Sequence, residues 1–146
     1  MLALLLACNN TKSPENSNTD STAVADPVAA EMEGGEAAIT DYAKTLPLDK
    51  IKLPSGFTID VYAEVENARS MALSPSGVLY IGNRDKDKVY AVKDTDGDFK
   101  ADKKWVLASG LNMPNGVAFK DGDLYIAEVS KISKIAGVES KLANPP

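Results

Sequence analysis

Short stretches of alternating apolar and polar residues follow one another through the last two thirds of the chain. Phe57, Ile59 and Val61 alternate with more polar neighbours after the turn-forming run Pro54-Ser55-Gly56, and such alternation predicts a strand with one buried face. Four further apolar runs, each bounded by polar turn residues, lie at 69–73, 78–81, 88–92 and 105–108. Because the loops between them are too short for parallel crossovers, the pattern predicts an antiparallel meander.

The strand-forming runs recur about 45 residues further along the chain. The run 69–73, R-S-M-A-L, returns at 115–119 as N-G-V-A-F, and the L-Y-I of 79–81 returns at 124–126. The run 88–92 has a counterpart at 131–135. A repeat of short strands at this period is typical of the four-stranded blades of a β-propeller, and two unrelated hairpins with similar turns are the alternative. The fold class predicted is all-β, with about two blades of a propeller present.

The pattern before residue 46 differs from that of the strand region. Residues 1–7 are apolar but too few to span a membrane, and Leu5-Leu6-Ala7-Cys8 resembles a bacterial lipobox, in which the Cys is lipidated. No Lys or Arg precedes Cys8, and a short apolar start with an incidental Cys is the alternative. The lipobox interpretation predicts a protein held at the cell envelope, in the periplasm or on the outer membrane surface, whose only contact with the membrane is the lipid anchor.

Residues 9–45 are rich in Asn, Ser, Thr, Ala and acidic residues, a composition that cannot bury a core. The sequence therefore divides into a signal remnant at 1–8, a flexible acidic tether at 9–45 and the propeller part at 46–146. A short helix over 36–44 is compatible with the tether.

Composition and charge narrow the possible functions. The 146 residues have a net charge of −5, all of it in the tether, because residues 46–146 carry fourteen basic and fourteen acidic side chains. The absence of a basic cluster argues against nucleic acid as a partner. The chain has one Cys and no His, so it contains neither an internal disulfide nor the commonest general base.

In a propeller blade, the residues before the first strand and after the second emerge at the same end of the sheet. This rule groups Arg69 with Asn83 and Arg84. It groups the equivalent residues Asn112, Asn115 and Glu128 in the second repeat. The two groups would line one mouth of a central channel, where guanidinium, amide and carboxylate groups could hold a ligand; solvated turn residues are the alternative.

The loop between the third and fourth strands, D-T-D-G-D-F-K-A-D, is expected at the opposite end. Asp94, Asp96, Asp98 and Asp102 occupy positions 1, 3, 5 and 9 of a calcium-loop pattern. Position 6 is Phe99 instead of Gly, and position 12 is Trp105 instead of Glu. Structural calcium and a solvated acidic turn both remain compatible with this loop.

Residues 53–128 contain motifs such as N-M-P-N-G-V-A-F and D-T-D-G-D, and this stretch resembles the opening of the sorbosone dehydrogenase family. The resemblance implies a six-bladed propeller related to soluble glucose and aldose sugar dehydrogenases, with pyrroloquinoline quinone and calcium at the channel mouth. It makes Arg69, Arg84, Asn115 and Glu128 the candidate cofactor ligands.

The implied reaction is oxidation of a sugar or aldose-derived aldehyde by hydride transfer to the quinone. In this family the segment with the catalytic His follows the second blade, beyond residue 146, so the chain is expected to be inactive by itself. Fewer than two blades would also leave Met71, Leu73, Val117, Phe119 and Tyr125 exposed. A propeller that only binds a ligand is the alternative function.

Overall fold

The computed structural model describes residues 41–146, which form two antiparallel sheets and very little helix. A single α-helical turn, α1, spans Asp41–Lys44, and 3-10 turns span Leu48–Lys50 and Val138–Lys141. Cys8 and most of the predicted tether lie outside the described residues. The strands are β1 Ala68–Leu73, β2 Val78–Asn83, β3 Val89–Lys93, β4 Lys103–Ala108, β5 Gly116–Lys120, β6 Asp123–Ala127 and β7 Ile132–Ile135.

The first sheet is a four-stranded meander in the order β1-β2-β3-β4, with every pair antiparallel. Its first turn is closed by Ser74, whose hydroxyl accepts a hydrogen bond from the Val78 N–H at 3.2 Å. Gly77 supplies the left-handed backbone that the turn requires, with φ of +86°. The strands predicted at 69–73, 78–81, 88–92 and 105–108 are confirmed.

The second sheet has the order β5-β6-β7 and repeats the first three strands of the first sheet. Asp121 and Gly122 form its first turn, both with positive φ, as a two-residue hairpin turn of this type requires. The three counterpart runs predicted from the repeat are confirmed as strands. No fourth strand lies beside β7 within residues 41–146.

The two sheets pack face to face, and they approach most closely where β1 and β2 meet β5. Val78, Tyr80 and Val89 of the first sheet share one core with Leu124 and Ile126 of the second. The ring of Tyr80 stacks on Phe119 across this interface, with centroids 5.5 Å apart. Val117 and Phe119 are therefore half-buried between the sheets, and the prediction that they would be exposed is wrong.

The predicted strand at 57–62 is also wrong, because these residues form no strand in the described part of the chain. Phe57 to Asp60 are exposed, and the chain then crosses the far face of the first sheet, where Tyr62, Ala63 and Val65 cover a second core. Tyr62 is anchored there because its carbonyl accepts from the Ala101 N–H at 2.8 Å and its hydroxyl from the Asp94 N–H at 3.1 Å. This segment acts as a cover for the sheet and does not extend it.

The remaining N-terminal expectation concerns a helix at 36–44. The structure has one helical turn at Asp41–Lys44, and residues 36–40 lie outside the described part. Within residues 41–146, no helix is both long enough and apolar enough to cross a bilayer.

Candidate functional site

The strand register divides the polar loops between two opposite ends of the sheets. Ala68 pairs with Asn83 at one end of the first sheet, and Val78 pairs with Lys93 at the other. We call these the Asn83 end and the Lys93 end. The segment before β5 and the turn after β6 also lie at the Asn83 end, since Gly116 pairs with Ala127 and Asn83 donates to Pro114. The predicted mouth residues thus share one end, and the acidic loop lies at the other.

Asn83 lies at the junction between the two sheets and is completely buried. Its backbone N–H donates to the Pro114 carbonyl at 2.9 Å. Its side-chain amide donates to the Glu66 carbonyl at 2.8 Å, and its side-chain oxygen accepts from the Lys86 N–H at 3.0 Å. These bonds satisfy the amide within the protein, so Asn83 supports the site and does not face a ligand.

A solvent-open depression of about 530 Å³ lies beside this junction. The loop after β2 lines one side of it and the segment before β5 lines the other: Arg84, Asp85, Lys86, Asp87, Leu111, Asn112 and Met113. Asp87 connects the two sides. Its carboxylate accepts a hydrogen bond from the Gly110 N–H at 2.9 Å, and its backbone carbonyl accepts one from the Leu111 N–H at 3.0 Å. The depression is therefore built by both repeats.

Charges in the depression are only partly paired. Lys86 forms an ion pair with Glu66 at 3.1 Å. Arg84 is exposed and has no carboxylate partner among residues 41–146. The Arg84 guanidinium and the exposed Asn112 amide line the same depression, and both groups can donate to a planar carboxylate or another anion. Asp85 and Asp87 also line the depression and limit its positive charge.

Glu128 was predicted to face a ligand, but the structure places it in a supporting network. Its carboxylate accepts from the Asn112 N–H at 2.7 Å and forms an ion pair with Lys131 at 3.3 Å. Burial raises the pKa of Glu128, but these bonds and the Lys131 charge outweigh it and hold the pKa below the usual value. Glu128 thus holds the backbone of Asn112 in position without lining the depression itself.

The other two predicted ligands do not line the depression. Arg69 is exposed near the start of β1, next to an irregularity in the register with β2. Asn115 contributes its backbone, since its carbonyl accepts from the Ser70 hydroxyl and its N–H donates to the Met113 carbonyl at 2.6 Å. Of the four predicted cofactor ligands, Arg84 alone is placed in the depression.

Sequence reasoning missed two features of this site. Asp87 connects the two repeats, although in the sequence it is one of several charged residues in a polar loop. Met113 has a left-handed backbone, with φ of +51°. That conformation is unusual for a side chain of this type, and the sequence gives no signal of it, because a residue before proline usually has an extended backbone.

The acidic loop brings three of its four predicted metal ligands together. One carboxylate oxygen from each of Asp94, Asp96 and Asp102 lies within 4.8 Å of the others, and Asp98 does not belong to the group. The carboxylates already accept from the backbone of the loop, for example Asp94 from the Gly97 N–H at 2.7 Å. Phe99 stands 82% exposed with φ of +65°, the conformation that favours Gly.

Hydrogen bonds lower the pKa of several carboxylates in the described part of the chain. A backbone hydrogen bond from Thr95 lowers the pKa of Asp102, and the bond from Lys134 lowers that of Asp123. Glu128 is shifted in the same direction. A lower pKa makes a carboxylate a weaker base, so these side chains suit structural and electrostatic roles.

No family model and no solved structure matches the chain. An uncharacterized protein of Borreliella burgdorferi is 24% identical over 94 residues, which are 63% of this chain and 23% of that protein. The chain thus spans less than a quarter of the length of this relative, whose name describes no activity.

Proposed function

We propose that the chain is the N-terminal part of a lipid-anchored quinoprotein dehydrogenase that oxidises a sugar or an aldose-derived aldehyde. One observation carries the proposal: the loops of two repeats meet at one end of two neighbouring sheets and leave Arg84 unpaired above a concave surface. This is the arrangement expected of one sector of a propeller mouth. The likeness of residues 53–128 to the sorbosone dehydrogenase family supports the choice of reaction.

The donor set of the depression fits part of a pyrroloquinoline quinone site. The cofactor is a planar tricarboxylate, and Arg84 with Asn112 would hold one of its carboxylates. When bound, the quinone supplies the hydride acceptor for oxidation of the substrate. The carboxylates of Glu128 and Asp87 accept hydrogen bonds from backbone N–H groups and so keep the two sides of the depression in place.

The catalytic base of the proposed enzyme belongs to a part of the protein beyond this chain. The 146 residues contain no His. Hydrogen bonds and nearby lysines hold the pKa below its ordinary value at Asp60, Asp102, Asp123, Glu128 and Glu139. The proposal therefore assigns cofactor contacts to this chain and proton removal to later blades.

Dye-linked activity of a longer parent protein tests the proposal. We expect the parent, loaded with pyrroloquinoline quinone and calcium, to reduce the dye with an aldose or aldehyde, and the 146-residue chain to show no turnover. Arg84→Ala in the parent should weaken quinone binding, whereas Arg69→Ala, which removes an exposed Arg outside the depression, should not. A loaded parent that oxidises no sugar or aldehyde would favour a propeller that only binds its ligand.

We propose in addition that the acidic loop binds calcium. The three grouped carboxylates offer oxygen ligands of the kind that calcium prefers, and one oxygen from each lies within 4.8 Å of the others. Millimolar calcium should raise the unfolding temperature of the chain, Asp94→Asn should abolish the increase, and Asp98→Asn should preserve it. Equal responses of the two variants would instead favour a solvated acidic turn.

Metabolic labelling with a fatty acid tests the proposed lipid anchor. We expect Cys8 to carry the label and the Cys8→Ala variant to lose it.

A further inference from the structure

Met113 lines the depression beside Arg84 with a backbone conformation that its own sequence disfavours. Its φ is +51°, in the left-handed region, where the Cβ of a side chain comes too close to the following carbonyl oxygen. The next residue is Pro114, and a proline normally holds the residue before it in an extended conformation. A glycine would adopt the left-handed backbone without this penalty. Met113 is therefore an unfavourable residue for the conformation that it has.

Hydrogen bonds on both sides of Met113 hold it in this conformation. Before it, the Asn112 N–H donates to the Glu128 carboxylate at 2.7 Å. After it, the carbonyl of buried Pro114 accepts from the Asn83 N–H at 2.9 Å. The turn after β6 thus fixes one end of the segment 112–114 and the end of β2 fixes the other. The strained backbone persists because the structure around it determines its position.

The side chain of Met113 contributes little to the packing of the fold. It is 43% exposed and belongs to neither core cluster of residues 41–146. It lines the depression instead, on the side formed by the segment before β5, and Arg84 lies on the other side. Strained residues of this kind cluster at ligand-binding sites, where the position of the side chain compensates for the strain.

The groups that line the depression suit a planar ligand with a ring system and carboxylates. The sulfur of a methionine is polarisable and makes favourable contacts with aromatic rings, while Arg84 and Asn112 can donate to a carboxylate. We propose that the Met113 side chain contacts the ring system of the quinone while Arg84 and Asn112 hold one of its carboxylates. This inference rests on the proposed function and adds a specificity residue to it, because the thioether favours a flat conjugated anion over an aliphatic one.

Quinone binding and unfolding of the same variants test the inference. The longer parent protein, stripped of cofactor, is titrated with pyrroloquinoline quinone, and its urea unfolding midpoint is measured without the quinone. Met113→Gly removes the thioether and relieves the left-handed backbone. We therefore expect its quinone affinity to fall about tenfold and its unfolding midpoint not to fall. Met113→Leu keeps an apolar side chain at the position and should lose less affinity.

Met71→Gly in the same parent is the matched control. Met71 lies on β1, outside the depression, where it pairs with Ile81. Glycine within a strand weakens the strand, so this variant should have a lower unfolding midpoint and an unchanged affinity for the quinone. The two glycine substitutions separate contact with the ligand from an effect on the fold, because each is expected to change the quantity that the other preserves.

Three results would overturn the inference. Equal quinone affinity in all the variants would overturn it alone and leave the proposed function standing. A loss of affinity in Met113→Gly together with a lower unfolding midpoint would assign the residue a role in the fold of the segment 112–114. A parent that binds no quinone, with or without a substitution, would overturn the proposed function and the contact with it.

Discussion

Tyr80 combines a fully buried ring with a hydroxyl that has no hydrogen-bond partner among residues 41–146. The ring stabilises the interface between the sheets through its stack on Phe119. The hydroxyl opposes folding, because on burial it loses its hydrogen bonds to water and gains no hydrogen bond within the protein. The same residue thus contributes favourable packing and an unfavourable desolvation cost, and substitution can separate the two.

Tyr80→Phe is expected to stabilise the protein by about 1 kcal/mol, since it removes the unpartnered hydroxyl and keeps the stacked ring. Tyr80→Leu, which also removes the stack, should be destabilising. Urea unfolding of both variants at pH 7 measures the difference. A Tyr80→Phe protein less stable than the original would show that the hydroxyl is bonded in solution.

The pH dependence gives the same residue a second signature. Burial, followed by the negative charge of Glu139, raises the pKa of Tyr80 from 10.0 to about 12. The folded state therefore favours the neutral phenol, and its stability falls as the pH rises from about 10 to about 12, where the unfolded chain ionises first. The Tyr80→Phe protein should lose less stability over this interval, because the other tyrosines are common to both proteins.

At the scale of elements, the junction at the Asn83 end depends on a close approach of two backbones. A Cβ added to Gly82 of β2 would lie 2.6 Å from the Asn115 carbonyl oxygen and 2.7 Å from that of Pro114. Backbone atoms cannot yield as a flexible side chain does, so the second sheet would have to shift. Gly82 therefore sets the distance between the two sides of the candidate site.

Gly82→Ala is expected to destabilise the protein by about 3 kcal/mol through this overlap. Gly77→Ala is the matched control, because its Cβ would meet nothing within 4 Å and only its φ of +86° is unfavourable. The control should cost about 1 kcal/mol. Thermal unfolding compares them, and equal losses would mean that the close approach at Gly82 adds nothing.

Glu128 couples the turn after β6 to the segment before β5, and its charge has a predictable pH signature. The hydrogen bonds that hold its pKa below 4.5 stabilise the fold above that value, and the contribution is lost as the pH falls through the lower folded value. Glu128→Gln should therefore be destabilising by about 1 kcal/mol at pH 7, and the difference should be smaller at pH 3. Urea midpoints at both values measure this, with the exposed pair variant Glu66→Gln as a control that should change little.

The sequence predicted where apolar strand-like segments lie better than it predicted which of them pair with a neighbouring strand. The runs at 69–73 and 78–81 became strands because each has a neighbour of matching pattern within a short turn. Phe57, Ile59 and Val61 have the same alternation, but a strand also requires a second backbone to bond, and none lies beside them within residues 41–146. Alternation encodes which side of a segment is apolar and contains no information about what pairs with it.

The candidate site shows the same division between topology and side-chain orientation. The repeat placed Arg84 and Asn112 at one end of the molecule because strand order alone determines which loops emerge there. The repeat could not predict that Arg84 lines the depression while its immediate neighbour Asn83 does not. This difference arises because the Glu66 carbonyl and the Lys86 N–H satisfy the Asn83 amide. Orientation depends on bonds to residues distant in sequence, which the local pattern does not encode.

At the scale of the whole molecule, charge and apolar surface lie in different parts of the chain. Residues 41–146 carry fifteen basic and fifteen acidic side chains, so all of the net charge of −5 belongs to residues 1–40. The neutral part carries exposed apolar side chains on β1, where Met71 is 61% exposed and Leu73 is 67% exposed. Net charge opposes association through repulsion between copies, and a protein of zero net charge lacks this protection.

Removal of residues 1–40 is therefore expected to lower solubility at pH 7 and to strengthen association at a given concentration. The sheets should be retained, because all the strands of residues 41–146 lie after residue 67. Static light scattering of the whole and shortened chains at matched concentrations measures the effect. A shortened chain fused to an unrelated segment with six Glu and one Lys restores the charge without the sequence, and it should restore solubility. If only the original residues 1–40 do so, their protection is specific to their sequence and net charge is not its cause.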